Sequence, residues 1–166
     1  ERDFYKTPPS AVEPLIPFLH RGMHVWEPCA GDGALLDALL PHVSFVHGSD
    51  IEPQRADIMQ GDAHDSSPWM PCNTIITNTP WPSTGSKGEP VVSLVKRWAA
   101  MYPTWLLLSA DFAHNVYFAQ LPCTDIVSVG RVSWMGNGVS GFDNAAWYRF
   151  EGVHPCTTTF HPRYGV

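Results

Sequence analysis

The sequence predicts an α/β protein with an open, mostly parallel sheet, helices on both faces and an antiparallel hairpin near its C-terminal end. Short apolar segments typical of buried strands alternate along the chain with segments of helical periodicity. Late in the chain, two strand-like segments flank the turn-rich stretch 136–144, which predicts the hairpin. The length of 166 residues fits one core, so we expect a single domain over 1–166.

The elements can be assigned along the chain in order. Residues 11–20 predict a short helix interrupted by prolines, and residues 23–26 predict a buried strand that runs into Glu27. A glycine turn then leads into a helix over 34–40. Its apolar face is predicted to consist of Leu35, Leu36, Leu39 and Leu40. Further patterns predict strands at 44–50, 57–62, 73–78, 104–110 and 125–129, helices at 91–101 and 112–121, and hairpin strands at 132–136 and 145–150.

Composition and charge exclude several classes of protein. Hydrophobic residues make up 44% of the chain, so it can bury a core. No apolar run approaches the roughly 20 residues of a membrane helix, and we expect no membrane association. The net charge of −6 argues against tight, non-specific nucleic-acid binding over the whole surface. A local basic edge, or equally a scatter of solvated charges, is offered by Lys6, Lys87, Lys96, Arg97, Arg131, Arg149 and Arg163.

The spacing of cysteine and histidine predicts neither a disulfide framework nor a metal site. The four cysteines are widely separated and form no C-x-x-C pair, and the eight histidines lack the spacing of metal ligands. Free thiols fit a reducing compartment, so we expect a cytoplasmic protein.

Polar side chains end the first four predicted strands. Glu27, Asp50 and Asp62 end the first three, and Asn78 ends the fourth. The carboxyl ends of parallel strands meet at one edge of a sheet, and ligands of such sheets bind there. The sequence therefore predicts a binding site at this edge.

The turn after the first strand has the features of a cofactor loop. Gly31 and Gly33 allow the backbone to approach a ligand closely, and a helix begins directly after them. Asp50 follows about 20 residues later, as a carboxylate that accepts ribose hydroxyls would, although a turn cap alone would also explain it. Leu36 replaces the third glycine of dinucleotide sites. Glu27 instead suits a ligand with an ammonium group, such as S-adenosylmethionine, whose adenine amine Asp62 could bind.

The most specific motif is Asn78-Thr79-Pro80-Trp81 at the end of the fourth predicted strand. The Asn78 side-chain oxygen and the Thr79 carbonyl can both accept hydrogens from one amino group. Pro80 makes the turn rigid, and Trp81 offers a planar surface for a base. A tryptophan that simply packs in the core is the alternative for Trp81 by itself.

Four segments together resemble the amino-methylating DNA methyltransferases, particularly the compact adenine-specific enzymes of phages and prophages. Residues 3–8 (DFYKTP) resemble the family's leading D-x-Y-x-T-P segment, and residues 27–33 resemble its cofactor loop. Residues 78–81 resemble its D/N/S-P-P-Y/F/W catalytic motif. Residues 131–134 and 144–148 resemble its late hairpin. The match covers nearly the whole chain in the family's order, and it implies a Rossmann-like class I methyltransferase fold.

This resemblance assigns roles to individual residues. The implied catalytic residues are Asn78, Thr79, Pro80 and Trp81. The implied S-adenosylmethionine-binding residues are Tyr5, Thr7, Glu27, Cys29, Ala30, Gly31, Gly33, Asp50, Ile51, Asp62, Ala63 and Asn78. The implied substrate-binding residues are Trp81, Lys87, Arg131 and Trp134, with packing in the hairpin as the alternative for Trp134.

The implied reaction is direct methyl transfer to the N6 amine of a flipped-out or unpaired adenine in DNA. The sequence departs from the family at Thr79, which replaces the first proline of the catalytic motif. About 16 residues follow the predicted hairpin, too few for a separate target-recognition domain. We therefore expect little sequence discrimination, or selectivity supplied by a partner subunit or a homodimer.

Two other functions stay open at this point. An RNA or protein-glutamine amino methyltransferase shares the catalytic motif type, although residues 3–8 and the late hairpin favour a DNA enzyme. A catalytically weak, cofactor-binding partner subunit is suggested by the small size, the acidity and Thr79.

Overall fold

Eight strands form one sheet over the part of the chain that the structure, a computed structural model, describes: residues 6–81, 89–134 and 137–163. The strands are β1 (His24–Glu27), β2 (Phe45–Asp50), β3 (Met59–Gln60), β4 (Thr74–Thr77), β5 (Thr104–Ser109), β6 (Cys123–Arg131), β7 (Asn144–Phe150) and β8 (Thr159–His161). The α-helices are α1 (Pro9–Val12), α2 (Ala34–Leu39) and α3 (Glu89–Ala99). Short 3-10 helices cover Glu13–Phe18, Ala110–His114 and Val116–Gln120.

The sheet is mostly parallel, as the sequence predicted. Its order is β3-β2-β1-β4-β5-β7-β6-β8. The first five strands pair in parallel, β7 runs antiparallel to both β5 and β6, and β8 pairs in parallel with β6. The carboxyl ends of seven of the eight described strands therefore lie at one edge, together with the start of β7. We call this the carboxyl edge.

The predicted hairpin exists, but one of its strands was assigned wrongly. β7 pairs with β6, the segment predicted as a sixth strand at 125–129, and not with residues 132–136. Residues 132–134 follow β6 outside any strand, and 135–136 lie outside the described residues. β6 extends to Arg131 through an irregularity at Gly130, whose φ of 83° lets the strand bend before the loop to β7.

Two helical predictions also differ from the structure. Residues 112–121 do not form one helix, because Asn115 adopts an extended backbone between two 3-10 turns. Its side-chain amide donates to the carbonyls of Asp111 and Phe112, which satisfies backbone groups at the end of the first turn. Leu40, predicted on the apolar face of α2, is exposed, although its backbone is still helical and its amide donates to the Leu36 carbonyl. Within the described ranges, no helix combines the length and apolar character needed to cross a bilayer.

The central strands of the sheet are buried on both faces. Neighbouring residues of the central strands alternate between the two sides: Val25 and Leu107 pack with α1 and α2, whereas Trp26 and Leu106 pack with α3. The two helix-facing sets account for the continuous apolar runs in β4 and β5. This arrangement confirms the prediction of helices on both faces.

One long-range hydrogen bond fixes the N-terminal segment to the sheet. The buried indole Nε1 of Trp147, in β7, donates to the carbonyl oxygen of Ala11 at 2.7 Å. Ala11 and Val12 are buried in the same apolar cluster as Trp147. The backbone that precedes α1 is thereby held over the sheet, which brings Thr7 toward the carboxyl edge.

A buried histidine in β2 has no polar partner among the described residues. His47 is 4% exposed, and neither ring nitrogen forms a hydrogen bond there. Its ring stacks on Phe45 and meets the edge of Trp69, with centroids 5.7 and 5.4 Å apart. Burial lowers the pKa of His47 below its ordinary value, so the folded protein favours the neutral ring.

We predict that His47 makes the protein less stable in mild acid. The unfolded chain takes up the proton near the ordinary histidine pKa of about 6.5, whereas the folded chain resists it. The free energy of unfolding should therefore fall as the pH drops below about 6.5, and His47→Phe should lack this component. Urea unfolding between pH 5 and 8 measures it. The control is Phe45→Leu, which removes neighbouring packing but no titratable group and should lower the free energy of unfolding equally at every pH. If His47→Phe loses stability in acid as steeply as the wild type does, the assignment to His47 is wrong.

Candidate functional site

A cleft at the carboxyl edge lies between β1, β4 and the N-terminal segment. Parallel pairing of β1 with β2 and with β4 places their carboxyl ends side by side. The cleft is lined by Lys6, Thr7, Glu27, Cys29, Ala30, Asp32, Ala34, Leu35 and Asn78. Five of these nine residues were predicted as site residues from the sequence: Thr7, Glu27, Cys29, Ala30 and Asn78.

The turn between β1 and α2 depends on small residues. Gly31 and Gly33 have φ of 52° and 81°, a conformation that other residues rarely adopt. Gly48 in β2 allows the turn to pack on the sheet, because a Cβ there would lie 2.6 Å from the Cβ of Ala30. The Ala30 amide donates to the carbonyl of Ser49 at 3.0 Å. The loop is therefore held tightly against β2.

Glu27 is the most unusual residue of the cleft. Its side chain is 2% exposed, and its Oε2 has no hydrogen-bond partner among the described residues. Burial raises the pKa of Glu27 well above its ordinary value, Asp50 and Asp32 raise it further, and Arg55 lowers it. An unpaired buried carboxyl is costly, and a cationic group placed beside it would relieve that cost.

Asp50 binds the backbone of two turns. Its Oδ2 accepts from the Gly31 amide and its Oδ1 from the Glu52 amide, both at 2.8 Å. This is the capping role that the sequence left open, and each carboxylate oxygen keeps a further lone pair. Ile51, next to it, is exposed at the same edge. A role of Asp50 toward a ribose stays a prediction.

Asp62 and Ala63 lie beyond β3, one strand farther from β1 and outside the lining of the cleft. Asp62 is exposed, and its Oδ1 accepts from the His64 amide at 2.9 Å. Ala63 is half-buried, and its carbonyl accepts from Arg97 of α3 at 3.5 Å. These contacts shape a turn at the carboxyl edge, and the adenine-binding role of both residues remains untested.

The structure brings Asn78 into contact with Thr7, 71 residues earlier in the chain. The amide Nδ2 of Asn78 donates to the Thr7 hydroxyl at 3.1 Å, which leaves the side-chain oxygen Oδ1 to other groups. Thr79 is buried, and its hydroxyl has no partner among the described residues. Pro80 is exposed. Asn78 thus has a fixed orientation at the end of β4, with Thr7 as its support.

Trp81 is anchored to the neighbouring strand. Its indole nitrogen donates to the carbonyl of Leu107 in β5 at 3.1 Å, and its ring meets Trp134 edge to face with centroids 5.5 Å apart. Trp81 also packs against both apolar clusters of the core and stays partly exposed. Arg131 is exposed at the end of β6, so three of the four predicted substrate-binding residues lie at the carboxyl edge. The fourth, Lys87, lies outside the described residues, as does Tyr5.

The sequence reasoning missed an ion pair across the cleft. Lys6 Nζ lies 2.7 Å from Asp32 Oδ2, which links the N-terminal segment to the glycine turn. Lys6 lies between Tyr5 and Thr7, two residues predicted to bind the cofactor. This position was the signal in the sequence that could have placed Lys6 at the cleft. Of the other predicted basic residues, Arg97 donates to backbone carbonyls and Arg149 pairs with Asp125 and Glu151.

The cleft provides no obvious thiolate nucleophile. Burial raises the pKa of the Cys29 thiol to about 12. The thiol is therefore neutral near pH 7. Throughout the described ranges, no three or more His, Cys, Asp or Glu side chains are grouped so as to hold a metal ion. The polar groups of the cleft are consequently suited to binding and orientation.

Solved structures of methyltransferases share this fold. No family model matches the chain, and no curated protein matches its sequence. A Pyrococcus horikoshii protein assigned to RNA methyltransferases is 14% identical with a TM-score of 0.65, over 92% of this chain and 88% of that one. A dimethyladenosine transferase from Plasmodium falciparum is 15% identical (TM-score 0.58; 90% and 63% covered).

A modification subunit from Vibrio vulnificus, assigned to a type I restriction enzyme, is 11% identical with a TM-score of 0.58. The match covers 96% of this chain and 47% of the subunit, so this chain spans about half of that protein. At these identities the comparisons show the fold alone, an α/β sheet shared with solved methyltransferase structures.

We predict that Glu27→Gln stabilises the ligand-free protein. The folded carboxyl holds its proton more tightly than the unfolded one, so wild-type stability falls as the pH rises from about 4.5 toward the folded pKa. A neutral amide avoids this loss, and the variant's advantage should grow over the same pH range. Each kcal/mol gained raises the melting temperature by roughly 2–4 °C. Calorimetric melting at pH 5 and pH 8 measures the difference.

The matched control is Asp57→Asn, which converts an exposed carboxylate that pairs with Arg55. The Arg55 hydrogen bond lowers the pKa of Asp57, so this variant should gain no stability with rising pH. A Glu27→Gln protein that melts below the wild type at pH 8 would show that Glu27 is ionised and stabilised in the folded state.

Proposed function

We propose that this protein transfers a methyl group from S-adenosylmethionine to the exocyclic N6 amine of adenine in DNA. One observation carries the proposal: Asn78, at the head of the Asn78–Trp81 motif, lines the same cleft as the buried, unpartnered carboxyl of Glu27. The first residue offers an acceptor for an amine, and the second offers a partner for a cation. The fold shared with solved methyltransferases supports this choice.

The residues of the cleft fit S-adenosylmethionine. The unpaired Oε2 of Glu27 is suited to the ammonium group of its methionine part, and Cys29 and Ala30 of the turn after β1 line the cleft beside it. The remaining lone pairs of Asp50 are suited to ribose hydroxyls. When bound, the cofactor supplies an electrophilic methyl group on a positively charged sulfur.

Asn78 and Thr79 activate the target amine in this proposal. The lone pair of an exocyclic amine is delocalised into its ring, which makes it a poor nucleophile. Acceptance of its two hydrogens by Asn78 Oδ1 and the Thr79 carbonyl would localise that lone pair. Thr7 holds the Asn78 amide in place through its hydroxyl, so the oxygen acts without reorienting. The neutral thiol of Cys29 agrees with direct transfer.

Trp81 is the proposed stacking surface for the target base. Its hydrogen bond to Leu107 fixes the ring, and Trp134 supports the ring from its edge. Adenine in a duplex must leave the stack to reach such a site, at a cost of a few kcal/mol, so unpaired adenines are the better substrates. Lys87 and Arg131 are the proposed phosphate contacts.

RNA is the second candidate substrate. The Plasmodium falciparum structure is named as a dimethyladenosine transferase, and two other similar structures are named as rRNA methylating enzymes. Adenine presents the same amine in either nucleic acid, so the cleft itself favours neither. A cofactor-binding partner subunit is a third candidate, since similar structures include a modification subunit of a type I restriction enzyme.

We predict that calorimetry detects binding of S-adenosylmethionine and S-adenosylhomocysteine, but not of NAD. Asp50→Ala should weaken binding about tenfold, because it removes one acceptor and releases the Gly31 turn. Asp37→Ala is the control, since Asp37 pairs with Arg55 on the exposed side of α2. Tight binding of NAD, with no binding of S-adenosylmethionine or S-adenosylhomocysteine, would contradict the cofactor assignment.

The activity itself is tested with radiolabelled cofactor. Single-stranded DNA, duplex DNA and RNA are incubated separately with the protein, digested and analysed by nucleoside mass spectrometry. We predict N6-methyl-2′-deoxyadenosine from DNA, with the highest yield from the single strand, and a smaller yield of N6-methyladenosine from RNA. Asn78→Ala should reduce the rate by at least 100-fold, within the range of losing one preorganised polar group, and should leave cofactor affinity within a few fold.

Asn115→Ala is the matched control for this loss, because Asn115 lies in the turn after β5 and binds backbone carbonyls there. It should retain activity. Equal losses of rate and cofactor affinity in Asn78→Ala would show that Asn78 is mainly structural. Cofactor binding without product on any of the three nucleic acids would favour a partner subunit.

A further inference from the structure

The loop between β6 and β7, residues 132–143, carries an aromatic side chain in open solvent. Phe142 is 98% exposed, and Val139 in the same loop is also exposed. β6 ends and β7 begins at the carboxyl edge, since Ala145 of β7 lies opposite Ser109 at the end of β5. The loop therefore stands at the edge that carries Asn78. A single exposed apolar residue is common on protein surfaces, so a function for Phe142 must be argued from the residues around it.

Phe142 directly follows a residue that packs on the aromatic pair of the site. The backbone of Gly141 lies against Trp134, because a Cβ there would be 3.1 Å from the ring. The Gly141 amide donates to the Val132 carbonyl at 2.8 Å. Trp134 in turn meets Trp81. The position of Phe142 is thus linked to Trp81 through one backbone contact and one ring contact.

The loop also has internal hydrogen bonds that define its turn. Asn137 Oδ1 accepts from the Val139 amide at 3.0 Å and from the Ser133 hydroxyl at 3.3 Å. A turn held in this way presents its apolar side chains at a smaller entropic cost than an unconstrained segment.

Two arginines lie at the base of the loop. Arg131 ends β6, and the guanidinium of Arg163 lies over Gly130, 2.9 Å from where a Cβ would stand. Both are exposed, and in the described ranges neither forms an ion pair, in contrast to Arg149. Asp143, beside Phe142, is the opposing charge. Arg131 lies opposite Asn144, two residues after Phe142. Exposed guanidinium groups and an exposed aromatic ring at one edge are the combination that single-stranded nucleic acid binds, through phosphates and through stacking.

We propose that Phe142 stacks on a base next to the target adenine while Arg131 and Arg163 contact the flanking phosphates. This inference rests on the proposed function and adds a second stacking position to that of Trp81. Phe142 is a substrate-positioning residue here, since it touches a neighbouring base and not the reacting amine.

The test is binding of a fluorescein-labelled, 12-nucleotide single-stranded DNA with one adenine, followed by fluorescence anisotropy. A stacked base is worth about 1–3 kcal/mol, so Phe142→Ala should weaken binding about tenfold. Phe142→Trp should retain affinity and Phe142→Leu should lie between. S-adenosylmethionine affinity should stay unchanged. Phe160→Ala, which removes an exposed aromatic ring from β8, is the matched control and should bind as the wild type does.

A second oligonucleotide, with abasic sites on both sides of the adenine, makes the test specific. The wild type should bind this oligonucleotide more weakly than the first. Phe142→Ala should not lower the affinity for it any further, because the base that would stack on Phe142 is missing. An unchanged affinity of Phe142→Ala, or an equal loss on both oligonucleotides, would overturn the proposal. So would a wild-type dimer in solution that dissociates in Phe142→Ala, since a second copy would then cover the ring. A wild type that binds cofactor but no oligonucleotide would refute the proposed function as well.

Discussion

The parallel pairing of β1 with both β2 and β4 is the constraint on which the site depends. It aligns Glu27, Asp50 and Asn78 at one edge although they are far apart in the chain. Val25 packs on the side of α1 and α2, and Trp26 packs on the side of α3. Burial of both sides fixes this register, because a shift of β1 by one residue would move each side chain to the opposite side. Because Gly48 has no side chain, the turn after β1 can pack directly on the sheet.

Several buried polar atoms beside this edge lack hydrogen-bond partners among the described residues. Among the described residues, buried oxygens without hydrogen-bond partners occur in Glu27, Thr77 and Thr79, at the ends of β1 and β4. Farther from the cleft, the indole of Trp147 and the phenol of Tyr148 donate to backbone carbonyls. The ring nitrogens of His47 and the indole nitrogen of Trp98 are also unpaired in the described ranges, but neither residue lines the cleft, so the Glu27 carboxyl is the unpaired group placed to meet a polar ligand there.

A series of aromatic contacts runs from Trp81 to the β6–β7 loop. Trp81 is fixed by the Leu107 carbonyl, Trp134 by Trp81, and the Gly141 backbone by Trp134. The first contact joins the segment after β4 to β5, the second joins that segment to the β6–β7 loop, and the third lies within the loop. The position of the Trp81 ring therefore depends on β5 and on this loop.

The sequence by itself determined the strand–helix alternation and the residues at the strand ends, because side-chain periodicity and glycine turns are local properties. It also located the Asn78–Trp81 motif at the carboxyl edge. Only the tertiary structure decided which strand completes the hairpin, that Thr7 supports Asn78, that Asp50 binds two backbone turns, and that Lys6 reaches Asp32. Each of these contacts depends on how distant segments come together in space. Local sequence patterns cannot predict this, because it is set by the path of the chain between the strands.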